Sequence, residues 1–73
     1  MTVELELPRA GDIRFDLQDV MGRTVQQFLL SENAGGKQVF ALKTTAFPAG
    51  LYFLTTRLNG HVLATNKVLF TLK

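Results

Sequence analysis

The sequence predicts an all-β chain folded as one small antiparallel sandwich of six to seven strands spanning residues 1–73. Three observations predict it. Apolar residues recur at every second position in several segments, the period of a strand with one face turned to a core. Pro, Gly, Asn and Asp punctuate those segments at short intervals. No segment of helix length holds apolar residues at a helical period.

Thr2-Val3-Glu4-Leu5-Glu6-Leu7 alternates throughout, with Val3, Leu5 and Leu7 on one face and the glutamates on the other. Pro8-Arg9-Ala10-Gly11 ends this strand. Asp12 to Gln18 alternates again, with Ile13, Phe15 and Leu17 inward and Arg14, Asp16 and Gln18 outward. The Pro-Gly turn most simply joins the two as a hairpin, although sandwich connections also separate such strands.

Asp19-Val20-Met21-Gly22 reads as a turn, with a side-chain acceptor first and a left-handed glycine last. Arg23 to Leu30 forms the third strand. Val25, Phe28 and Leu30 do not share a phase, and a bulge around Gln26-Gln27 repairs it. Ser31-Glu32-Asn33-Ala34-Gly35-Gly36 reads as a loop, followed by a strand over Lys37 to Lys43 with Gln38, Phe40 and Leu42 on one side. Thr44 to Gly50 connects to the most apolar strand.

That strand begins in Phe47-Pro48-Ala49-Gly50-Leu51-Tyr52-Phe53-Leu54. The proline suits the second position of a turn and the glycine its exit. The unbroken apolar run after it predicts a central strand buried on both faces. Leu58-Asn59-Gly60-His61 predicts a type I′ hairpin, pairing Leu58 with His61, Thr56 with Leu63, Leu54 with Thr65 and Tyr52 with Lys67. Val68, Phe70 and Leu72 lie in the opposite phase, which places a bulge or a crossing to the other sheet between Ala64 and Lys67. The whole pattern is that of a small Ig-like sandwich.

Composition narrows the function. The chain is 47% hydrophobic with a formal charge of +2 and no run of like charge, which gives no basis for binding nucleic acid or an acidic membrane. It has no cysteine, hence no disulfide and no thiolate metal site. No apolar run reaches the ~20 residues of a membrane helix, and the N-terminus has no signal-peptide core. Ser31 and His61 are the only serine and histidine, and their positions offer no catalytic pairing. Glu4, Glu6, Asp12 and Asp16 read as solvated charge, and no spacing suits a metal. The expectation is a non-enzymatic domain without cofactor, metal or small-molecule substrate.

Five landmarks together resemble the type A C-terminal sorting domain of the type IX secretion system of Bacteroidetes. They are Leu7-Pro8-Arg9-Ala10-Gly11-Asp12-Ile13, Asp19-Val20-Met21-Gly22-Arg23-Thr24-Val25 (the family's D-x-x-G-R-x-V), Ala34-Gly35, Phe47-Pro48-Ala49-Gly50-Leu51-Tyr52-Phe53 (its L-P-x-G-x-Y-x), and Lys67-Val68-Leu69-Phe70-Thr71-Leu72-Lys73 (its terminal K-x-V-x-x-x-K). Phe47 replaces the commoner leucine, and Asn66 stands where the family often has a second basic residue.

The resemblance implies an address label at the C-terminus of a larger exported protein. The cargo, covalently attached on the N-terminal side, crosses the periplasm to the outer-membrane machinery. The domain is then typically removed by a sortase-like peptidase, and the cargo ends at the cell surface or is secreted. Asp19, Gly22, Arg23, Pro48, Gly50 and Tyr52 are the identifying motif positions, read as turn builders and a core aromatic. Lys67, Lys73, Val68 and Phe70 are the recognition candidates. The two lysines share the face opposite Val68, Phe70 and Leu72, where they present charge to an acidic groove or guard an edge against aggregation. A non-catalytic adhesive or carbohydrate-binding sandwich of a secreted protein is the alternative, and an exposed aromatic platform distinguishes it.

Overall fold

The computed structural model describes residues 1–43 and 48–71. Six strands form two antiparallel sheets: β1 (Thr2–Leu7), β2 (Gly11–Gln18), β3 (Thr24–Asn33), β4 (Gly36–Ala41), β5 (Gly50–Leu58) and β6 (His61–Phe70). The larger sheet runs in the order β3-β2-β5-β6, and β1 pairs with β4 in the smaller one. The predicted all-β sandwich is therefore present, with six strands.

The two sheets meet through the alternating apolar faces. Leu7, Phe40 and Leu42 from the smaller sheet and its exit pack with Ile13, Phe15, Leu17, Tyr52, Leu54 and Leu58 from the larger. Phe15 and Phe40 touch edge to face across the interface, with ring centroids 5.3 Å apart. Edge-to-face contact suits the ring quadrupoles. Met1 closes the smaller sheet: its amino group donates to the Leu42 carbonyl and its own carbonyl accepts from the Leu42 N–H.

Several sequence expectations change. β1 and β2 are not a hairpin. β1 pairs with β4, and Pro8–Ala10 carries the chain from one sheet to the other. Gly35 permits this crossing, because a Cβ there would stand 3.2 Å from the Arg9 carbonyl carbon. The bulge in β3 falls on Val25, since Leu17 faces Gln26 while Gln18 faces Thr24. The expected loop from Ser31 to Gly36 shrinks to Ala34 and Gly35. β3 runs on to Asn33, which pairs with Gly11, and Glu32 takes a positive φ of 57°.

β5 is central in its sheet but is not buried on both faces. Tyr52 and Leu54 face the core, whereas Leu51 is exposed on the other side. The smaller sheet covers only one face of the larger, so the apolar run is half wet. The Asn59-Gly60 hairpin is as predicted, with φ of 49° and 86° and Leu58 opposite His61. Its phase change comes earlier than expected, at Leu63, because Arg57 faces Val62 while Thr56 faces Ala64. Tyr52 therefore pairs with Val68, and β6 stays in its sheet.

Candidate functional site

The registers place the identifying motif residues at one end of the sandwich. Thr24, Gln18, Phe53 and Lys67 form a row across the four strands of the larger sheet. Past this row β2 turns back at Asp19, while β5 and β6 stay paired through Tyr52–Val68, Leu51–Leu69 and Gly50–Phe70. A two-stranded ribbon thus extends beyond the rest of the sheet, beside the β2–β3 turn.

That turn is held by Asp19. Its Oδ1 accepts from the Met21 and Arg23 backbone N–H groups at 2.9 and 3.0 Å, and its Oδ2 accepts from Arg23 Nε at 2.9 Å. The Asp19 carbonyl accepts from Gly22 N–H, and Gly22 has φ of 84°. The hydrogen bond from the Arg23 N–H, seconded by the guanidinium and the Met21 N–H, holds the Asp19 carboxyl below the usual carboxylate range. Asp19 and Arg23 satisfy one another, and the turn displays Val20 and Met21, 65% and 78% exposed.

Tyr52 is a core aromatic whose hydroxyl donates to the Pro48 carbonyl at 2.7 Å. This bond ties the ribbon to the Pro48–Gly50 turn, where Gly50 has φ of 154°. The Tyr52 and Phe70 rings meet edge to face at 5.1 Å. Phe47 and Lys73 lie outside the described residues.

β6 is an edge strand, paired on one side by β5. Lys67 is exposed on the outer face opposite Phe53, whereas Val68 and Phe70 are half-buried against the core. Of the recognition candidates that are described, only Lys67 presents its side chain outward. Leu69, 69% exposed opposite Leu51, shares that outer face and was not singled out from sequence. Its position in the phase of Lys67 was the available signal.

Sequence reading also missed a charge cluster on the outer face of the larger sheet. Asp16 is 3% exposed instead of solvated. Its Oδ2 accepts from Arg14 Nε at 3.1 Å and from Arg57 Nη1, while Oδ1 is buried without a hydrogen-bond partner. Arg14 and Arg57 lie directly opposite one another across β2 and β5, and both guanidinium groups meet the Asp16 carboxylate. The i, i+2 spacing put Arg14 and Asp16 on one face. Arg57 joins them only through the β2–β5 register.

No group of His, Cys, Asp and Glu suited to a metal occurs among the described residues. Neither family profiles, nor curated proteins, nor solved structures returned a match to this chain.

Proposed function

We propose that the chain is a sorting domain of the type IX secretion kind, which directs a cargo attached on its N-terminal side to an outer-membrane export machinery. The observation that carries this reading is the edge strand β6, whose outer side is paired to no strand among the described residues and whose outer face carries Lys67.

The mechanism follows from strand chemistry. An exposed edge offers a row of backbone donors and acceptors, and a partner segment that pairs with it gains affinity from main-chain hydrogen bonds. Side chains in alternate pockets then supply specificity. Lys67 and Leu69 point outward to such a partner, while Val68 and Phe70 anchor the strand from below. Asp19, Gly22, Arg23, Pro48, Gly50 and Tyr52 act indirectly, fixing the turns that hold the β5–β6 ribbon. After delivery a sortase-like peptidase removes the domain, and the cargo stays at the surface or is released.

The test is a secretion assay. Residues 1–73, joined by a linker to a fluorescent protein with its own export signal, are expressed in a Bacteroidetes host with the type IX system. Fluorescence at the surface or in the medium is expected, and it should disappear on deleting residues 67–73 or disabling the system. Periplasmic retention of a folded, protease-resistant fusion would overturn the reading in favour of an adhesive or glycan-binding module. For that alternative, none of the described aromatic side chains is exposed.

A further inference from the structure

Of the four edge strands among the described residues, β1 and β4 in the smaller sheet and β3 and β6 in the larger, β6 and β1 are opposite in charge, and β1, with Glu4 and Glu6, carries more acid than β3 with Glu32 alone. From His61 to Lys73 the sequence contains Lys67 and Lys73 and no Asp or Glu, and Lys67 is exposed on the outer face of β6. β1 has the reverse character, with Glu4 and Glu6 exposed on its outer face and no basic residue from Thr2 to Leu7. β1 pairs only with β4 and β6 only with β5, so each presents an unpaired side among the described residues. Glu6 stands opposite Lys37 within its sheet, whereas Glu4 stands opposite Val39. Glu4 is therefore the acid least compensated by its own sheet.

The inner faces match as well. Val3, Leu5 and Leu7 alternate with the glutamates along β1, and Val68 and Phe70 alternate with Lys67 along β6. Below the bulge at Leu63, β6 is regular from Ala64 to Phe70, and β1 is regular over its six residues. The lengths suit one uninterrupted ladder. A β6–β6 pairing offers Lys67 no acidic partner, and in the register that sets it beside its own copy the like charges repel.

We infer that this domain self-associates head to tail, with β6 of one copy pairing along β1 of a second copy. Lys67 then lies beside Glu4 and Glu6, and the two apolar faces continue one another. Such a contact uses different surfaces on the two partners, so each added copy leaves a free β6 and a free β1, and growth is open-ended wherever the rotation between copies does not close a ring. A ladder of this length falls short of the ~1,200 Å² of a stable interface, so association is weak and concentration-dependent. It uses the edge on which the sorting proposal also rests, but it needs no secretion machinery.

The experiment is sedimentation velocity on the purified 73-residue domain from micromolar to millimolar concentration, at low and high salt. The expected result is a series of species growing with concentration and weakened by salt, which screens exposed charge beyond about 10 Å at 0.1 M. Lys67→Glu alone, or Glu4→Lys with Glu6→Lys, should raise the concentration needed by about tenfold, as expected for reversing exposed cross-strand pairs. Mixing the two variants should restore association. Circular dichroism confirms that each variant is folded, and these exposed positions do not contribute to the core. A domain monomeric at millimolar concentration would overturn the inference. So would association indifferent to the charge reversals, or one that stops at a closed dimer.

Discussion

Asp12 and Asn59 clasp one another across the end of the sandwich opposite the motif turns. The Asp12 backbone N–H donates to Asn59 Oδ1 at 3.0 Å, and the Asn59 N–H donates to the Asp12 carbonyl at 2.9 Å. Asp12 Oδ1 also accepts from Glu32 N–H, so one residue links the β5–β6 tip to the end of β3. The neighbouring Gly11 leaves room for the carboxamide, since a Cβ there would come within 2.5 Å of it. Asn59 thus has two roles: it tolerates a φ of 49° and it supplies the clasp. Asn59→Gly keeps the turn and loses one hydrogen bond, at a cost of about 1 kcal/mol. Asn59→Ala adds left-handed strain and costs about 2 kcal/mol. Thermal melts separate them, because about 1 kcal/mol moves Tm by about 4–8 °C in a domain of this size. Equal melting temperatures for the two variants would contradict the division.

The Asp19 turn gives a pH signature. Its carboxyl is held below its ordinary value by the hydrogen bonds of Arg23 and Met21, so the folded state favours the ionised form. For a lowered carboxylate, the stabilisation is fully present above the unfolded value of about 4 and is lost as pH falls through the folded value. Asp19→Asn retains an acceptor for the turn but does not titrate. Urea unfolding from pH 6 downward should show the native chain more stable than the variant at pH 6, with the gap closing in acid. A gap independent of pH would show that the carboxylate charge contributes nothing.

The local chemistry and the β5–β6 hairpin were legible, and the long-range pairing was not. Alternation in Thr2–Leu7 and Asp12–Gln18 placed Leu7, Ile13, Phe15 and Leu17 in the core, where they are. Asn59-Gly60 fixed its hairpin because these two residues accept the pair of positive φ angles that a type I′ turn requires. The β1–β4 pairing was hidden, because it joins strands far apart in sequence and no local signal encodes it. The early bulge at Leu63 was equally hidden: any slip between Leu58 and Tyr52 satisfies the same phase change. For the candidate site, the outward phase of Lys67 was readable from its neighbours. Its edge position required the strand order.

Asp16 is the burial that sequence patterning most misjudged, and removing it should be costly. Asp16→Ala leaves Arg14 and Arg57 facing one another without the carboxylate between them. Breaking a buried ion pair by removing one partner costs about 3–5 kcal/mol. Here the arginine side chains are 42% and 27% exposed, and solvent screening brings the expectation to about 2–3 kcal/mol. Replacing Arg57 as well, in Asp16→Ala with Arg57→Met, removes the facing like charge and should recover part of the loss. A double-mutant cycle in denaturant measures it. Strict additivity of the two substitutions would mean that the three side chains do not act as a unit.

The opposite case is Thr56, fully buried on the core face of β5 with a hydroxyl that has no hydrogen-bond partner. Its cross-strand neighbours are Phe15 on one side and Ala64 on the other. Neither offers a side-chain acceptor. An unsatisfied buried hydroxyl forfeits its hydration without recompense, at about 1–3 kcal/mol. Thr56→Val keeps the branched shape that suits a strand and replaces the hydroxyl with a methyl. The substitution should stabilise the domain by about 1 kcal/mol, raising both the denaturant midpoint and Tm while leaving the denaturant slope unchanged. A lower midpoint at unchanged slope would mean that the hydroxyl is satisfied in solution, most simply by bonding back to its own strand's carbonyls.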